Sequence, residues 1–148
     1  MPRKKPKKQP VILYTPSIDK TPHYLGVPNI ENRYIAWRFS IADMGGCFSC
    51  GNLSFDEHRQ LWNRLRAFEK MNIDQLRKAR NLHTKQVAEL ENEYRTRLLE
   101  INLDDVEEMH SFHIDGTCRL WCLKYENIFS VLWWDKEHQV ARVSKRHT

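Results

Sequence analysis

Nowhere in this chain does an apolar run approach the ~18 residues that a membrane-spanning helix needs, so no membrane partner is expected. The charged N-terminus, MPRKKPKK, has no apolar stretch behind it and does not read as a secretory signal. The expected compartment is the cytoplasm. Cysteine is sparse, with four among 148 residues, and in a reducing compartment these read as free thiols and not as a disulfide frame. Acids are missing from residues 1–10, which hold Arg3, Lys4, Lys5, Lys7 and Lys8. Those five account for the whole net charge of +5, because the other 19 basic residues balance 19 acidic ones. The pI near 9.1 therefore reports a tail and not a basic body. Such a tail either adds non-specific affinity for nucleic acid through counterion release or acts as a solubilising leader. No internal repeat is present.

What is there suffices for a core: 41% of residues are hydrophobic and five are Trp, in a length that fits one domain. Residues 1–32 are rich in Pro, Lys and polar side chains and read as a basic, largely extended leader, with a single α+β domain over 33–148. From Arg33, the residues Ile35, Trp37, Phe39 and Ile41 alternate with polar or small ones, the period of a half-buried strand. Met44-Gly45-Gly46 ends it, and a short strand or loop runs on to Gly51. Ser54, with Glu57 three residues later, predicts a capping box opening a helix that carries Leu61, Leu65 and Phe68. A second, longer helix is predicted from Ile73. Leu76, His83, Val87, Leu90, Tyr94, Leu98 and Ile101 keep helical spacing for nearly thirty residues. The two form a long helical hairpin. Strands return over Met109–Ile114, Thr117–Tyr125 and Ile128–Trp134, with Asp115-Gly116 as a strong hairpin signal and Glu126-Asn127 as a weaker one. A last short strand is expected over Gln139–Val143. The expected fold is α+β, an N-terminal strand, a helical hairpin on one face, then an antiparallel meander.

If Glu126-Asn127 is a two-residue loop, Arg119 faces Trp134, Trp121 faces Leu132 and Cys118 faces Asp135, while the Asp115-Gly116 turn sets His113 opposite Cys118. Both faces of the meander are then apolar, apart from Arg119. An arginine there is either buried against a carboxylate or presented to an anion. Beyond it come Trp134, Asp135 and His138, then Arg142, Lys145, Arg146 and His147. Cations, imidazoles and indoles at one sheet end suit RNA, whose phosphates take Arg and Lys and whose bases stack on flat rings. Histidine could move protons near neutral pH. The plainer alternative is that the tryptophans are core and the charged tail is solvated.

These residues carry a resemblance. The segments CRLWCLKY at 118–125, FSVLWWDKEHQV at 129–140 and KRHT at 145–148 resemble a group of short bacterial and phage-associated proteins. Their pattern is R-I-W-G, a short turn, L-L-W-W-D-P-x-H-x-V and a basic end. Cys122 stands where that pattern has Gly, and Lys136 where it has Pro. The order of elements is also similar to the RelE/ParE toxin superfamily. That likeness implies metal-independent mRNA cleavage, typically on the ribosome, by a toxin silenced by a cognate antitoxin. It implies a 2′-hydroxyl attacking the adjacent phosphate. Arg119 would stabilise the phosphorane, His138 or His147 would act as general acid or base, and Asp135 would complete the catalytic set. Lys145, Arg146, Arg142, Trp134, Trp121 and His83 would bind the nucleic acid.

Three other readings stay open. Cys47 and Cys50, a C-x-x-C between glycines, could supply two thiolates to a structural zinc. Cys118 and Cys122 could not form a second knuckle, being ~13 Å apart along a strand. A non-catalytic nucleic-acid- or protein-binding module would use the same Arg, Lys and Trp cluster. A metal-dependent hydrolase could be built from Asp135, His138 and His113, although D-x-x-H is a common spacing. For His83, a hydrogen-bonded core histidine competes with a catalytic one.

Overall fold

The structure, a computed structural model, describes residues 33–141. The leader assigned to 1–32 and the segment 142–148 lie outside the described residues. The chain forms β1 (Ala36–Arg38), α1 (Phe55–Phe68), α2 (Ile73–Lys78), β2 (Leu82–Gln86), a 3₁₀ turn (Val87–Glu89), α3 (Asn92–Glu100), β3 (Glu108–Asp115), β4 (Cys118–Tyr125) and β5 (Ile128–Asp135). The strands make one mixed sheet in the order β1-β5-β4-β3-β2. β1 runs parallel to β5, and the other pairs are antiparallel. The α+β class expected from the sequence is present.

The expected long second helix is not. Its first turns are α2, which a true capping box between Asn72 and Gln75 opens. Arg80 then takes a left-handed backbone (φ 58°), and the Asn81 amide reaches back to the Leu76 carbonyl at 2.9 Å. That closure ends a helix even without glycine. Residues Leu82–Gln86 pair with β3 instead, so a strand occupies the middle of the expected helix. A similar closure ends α3, where Asn102 has φ 61° and Leu103 N–H meets the Leu98 carbonyl at 2.8 Å. The residues at helical spacing divide between the two faces of the sheet, Leu76 on one and Leu90, Tyr94 and Leu98 on the other.

The helices also occupy both faces, not one. Leu65 and Phe68 of α1 and Leu76 of α2 pack with Phe112, Leu120, Cys122, Phe129, Val131 and Trp134. On the opposite face Tyr94 and Leu98 of α3 pack with Met109, Trp121, Leu132, Trp133, Val140 and Ala141. The meander is thus buried from both sides, which accounts for its two apolar faces. The first strand is short, three residues, and no strand covers the loop through Gly51. The expected strand from Gln139 is absent over its described part, 139–141.

The register also differs from the simple hairpin. Near the turn, Tyr125 pairs with Ile128 and Cys122 with Val131 as expected. An irregularity between Trp121 and Cys122 leaves Leu132 as an extra residue. Beyond it Trp121 pairs with Trp133, Leu120 with Trp134, and Arg119 with Asp135. A second irregularity beside the Asp115-Gly116 turn pairs His113 with Arg119 and not with Cys118. A bulge shifts every later side chain to the other face. Trp134 therefore joins the α1 side, and Trp133 the α3 side.

Candidate functional site

The three tryptophans of the meander are anchored by their own ring nitrogens. Trp121 Nε1 donates to Asp135 Oδ2 at 3.1 Å, Trp133 Nε1 to Asp43 Oδ2 at 3.0 Å, and Trp134 Nε1 to Glu57 Oε2 at 3.0 Å. A buried indole needs a partner for its N–H, and each finds a carboxylate from a different segment. Trp121 is fully buried and Trp134 is 5% exposed. Neither offers a ring face on which a base could stack in this conformation.

Glu57 explains why the expected capping box is only half made. Ser54 Oγ accepts from the Glu57 amide at 3.2 Å, but the Glu57 carboxylate turns to Trp134 and to Lys136 Nζ at 3.2 Å. Burial opposes its charge, yet the hydrogen bonds from Lys136, Ser54 and Trp134 hold it below the usual carboxylate value. Asp43 is gripped more tightly. Arg97 donates to it through Nε at 2.9 Å and Nη2 at 2.8 Å, and the Gly45 amide adds a bond at 3.1 Å. The Arg97 hydrogen bond is the main reason its carboxyl sits below the ordinary value. Neither Asp43 nor Arg97 was singled out from sequence, because they lie 54 residues apart in different elements.

Asp135 is wholly buried. Besides Trp121 it accepts the Gln139 amide at 2.8 Å and the Val140 amide at 3.0 Å. It therefore ties down the turn that carries His138, whose backbone is left-handed (φ 53°). With those three donors on it, Asp135 is a positioning group for His138.

Around that turn the charges of several basic side chains bear on His138. The His138 imidazole is held below its ordinary pKa, first by burial and then by the Arg119 guanidinium. His83 and Lys85 act in the same direction, and Asp135 opposes them. Arg119 faces Asp135 across the strands but makes its hydrogen bonds to the Gly116 carbonyl at 2.8 Å and the Cys118 carbonyl at 3.1 Å. Burial lowers its pKa, and the Asp135 charge works against that. His83 is exposed on the edge strand β2, not on a helix stripe, and its Nε2 lies 3.1 Å from the Arg80 carbonyl. His113, beside Arg119, lies 3.1 Å through Nε2 from the Gly116 carbonyl. Arg119, His83 and Lys85 thus share an electrostatic neighbourhood with His138; Lys85 was not singled out from sequence, because residue 85 fell inside the expected second helix. Arg142, Lys145, Arg146 and His147 lie outside the described residues.

Cys47 is exposed and Cys50 half-buried. The Cys50 thiol donates to the Leu132 carbonyl, 3.4 Å away, and burial followed by the Asp43 charge pushes its pKa up to about 11. Among the described residues no three or more His, Cys, Asp or Glu side chains gather as a metal ion would require. No helix among them is long and apolar enough to cross a membrane. Comparison with family models, with curated proteins and with solved structures finds no match.

Proposed function

We propose that this chain binds and cleaves RNA at the Arg119–His138 cluster, as a RelE-like toxin of a toxin–antitoxin or phage-related system acting in the cytoplasm. The observation that carries the reading is that Arg119 lies opposite Asp135 across the strands while Asp135, buried and committed to three donors, holds the turn that carries His138, with the charges of Arg119, His83 and Lys85 all bearing on that imidazole. Arg119 and Lys85 draw phosphate toward that turn. The antiparallel β3–β4–β5 meander that closes the chain and carries Arg119 supports the same reading.

In the proposed reaction the 2′-oxygen forms a bond to the adjacent phosphorus and the bond to the 5′-oxygen breaks. His138, neutral near pH 7 because its pKa is lowered, accepts the 2′-hydroxyl proton. Arg119 stabilises the charge on the phosphorane. His147 returns a proton to the leaving 5′-oxygen, while Arg142, Lys145 and Arg146 hold the backbone. The products are a 2′,3′-cyclic phosphate and a 5′-hydroxyl. The expected partners are mRNA on the ribosome and a cognate antitoxin.

Expression without the antitoxin should arrest growth, and Arg119→Ala or His138→Ala should each relieve the arrest at unchanged protein level. Continued growth with the wild-type protein present would sink the toxin reading. One observation favours a second reading, a non-catalytic binding module of the same fold. The hydrogen bonds of Arg119 go to backbone carbonyls of its own hairpin, an arrangement that also suits a fixed surface cation. Retained RNA binding with no cleavage would select that reading.

A further inference from the structure

Helix α1 carries a surface that the Arg119–His138 cluster does not use. Phe55, Arg59, Trp62 and Arg66 recur at four-, three- and four-residue steps, which puts them in one stripe on the helix. All four are exposed, Trp62 at 57% and Phe55 at 76%. The Phe39 ring, itself 50% exposed, lies beside Trp62 with centroids 6.4 Å apart. Arg59 and Arg66 make no salt bridge among the described residues, and Glu69, the helix C-cap, forms none with Arg66. Of the five tryptophans, Trp62 is the exposed one; the other four donate their ring N–H inside the protein.

We propose that the Phe39–Trp62 pair, with Arg59 and Arg66, is a binding track for a single-stranded nucleic acid. Rings that stack any base, interleaved with cations that hold phosphates, are what sequence-tolerant single-strand binding requires. The stripe from Phe55 to Arg66 runs about 16 Å along the helix, enough for a few nucleotides. Charge selects this occupant over others. A second copy of the chain would set arginines against arginines, and the leader's Arg3, Lys4, Lys5, Lys7 and Lys8 have the same sign. α1 lies over the sheet face opposite to the one on which α3 packs, so the track is separate from the His138 turn. It would hold a strand independently of cleavage.

Single-stranded oligothymidylate is the probe, because it lacks the 2′-hydroxyl and stays intact whatever the cleavage site does. Titrated into the full chain, it should quench Trp emission and shield Trp62 from acrylamide. Arg59→Ser with Arg66→Ser should weaken binding more than tenfold and reduce the magnitude of the log–log salt slope by about 1.4, two phosphate contacts at ~0.7 each. Trp62→Leu should abolish the quenching, and Arg119→Ala should leave it intact. Undiminished acrylamide access to Trp62 in the wild-type complex would overturn the proposal without relying on any variant. So would full affinity in the double arginine variant, or protection of Trp62 by polyglutamate but not by the oligonucleotide, which would assign the track to an acidic protein.

Discussion

At the scale of single residues, the tryptophan-rich end is held by paired acids. Trp121, Trp133 and Trp134 each donate to a different carboxylate, so the indoles that looked like a base-stacking surface are largely core. The sequence could show that aromatics and charges are dense there. It could not show which acid each ring would reach, since Asp43 and Glu57 come from distant segments. Asp43→Ala leaves the Trp133 N–H and the Arg97 guanidinium without their acceptor, and should cost about 3 kcal/mol in urea unfolding at neutral pH. The folded Asp43 carboxyl lies below its ordinary value, chiefly through the Arg97 hydrogen bond. Its contribution is therefore complete above about pH 4 and is lost as pH falls through the folded value. The gap between wild type and Asp43→Asn should accordingly narrow from pH 7 to pH 3; an unchanged gap would contradict this pairing. His138 has the complementary test. Arg119→Ala should raise its pKa toward the ordinary value, visible in an NMR titration of the imidazole, because burial and then Arg119 hold it down.

At the scale of elements, the meander was legible and the middle of the chain was not. Apolar-rich runs and the Asp115-Gly116 pair marked β3, β4 and β5 to within a residue or two, and Gly116 adopts the positive φ that such a turn favours (47°). Between Gly51 and Gly116 there is neither glycine nor proline. Arg80 and Asn102 terminate their helices with left-handed backbones that carry little local signal. Pairing of Leu82–Gln86 with β3 then overrides the helical spacing, a tertiary effect no local window contains. The same holds for the register, which turns on one extra residue, Leu132. Leu132→Ala should cost about 2–5 kcal/mol as a buried truncation. Deleting Leu132 removes the extra residue but keeps Trp133 opposite Trp121, Trp134 opposite Leu120 and Asp135 opposite Arg119, so those side chains should stay on their present faces. Thermal denaturation should therefore show a cooperative transition for both Leu132→Ala and the deletion; loss of the cooperative melt in the deletion alone would show that the bulge itself, and not only the side chain it adds, holds the fold.

At the scale of the whole molecule, the sheet is a middle layer with α1 and α2 on one side and α3 on the other. The His138 turn follows β5, and the charges of His83 and Lys85 on the edge strand β2 reach its imidazole. His83, read from sequence as part of a helix stripe, thus acts on the C-terminal cluster from a strand. Charge is divided in the same way. The excess sits in residues 1–10, so their removal should flatten the salt dependence of RNA binding while leaving any cleavage position unchanged. The most direct measurement is of cleavage itself. Purified wild-type protein and the His138→Gln variant would be incubated with mRNA and ribosomes, and the new RNA ends analysed. Wild type should produce 2′,3′-cyclic phosphate and 5′-hydroxyl ends, and the variant should produce almost none. Intact RNA with the wild-type protein, or equal cleavage by the variant, would contradict the assignment of this cluster as a ribonuclease site.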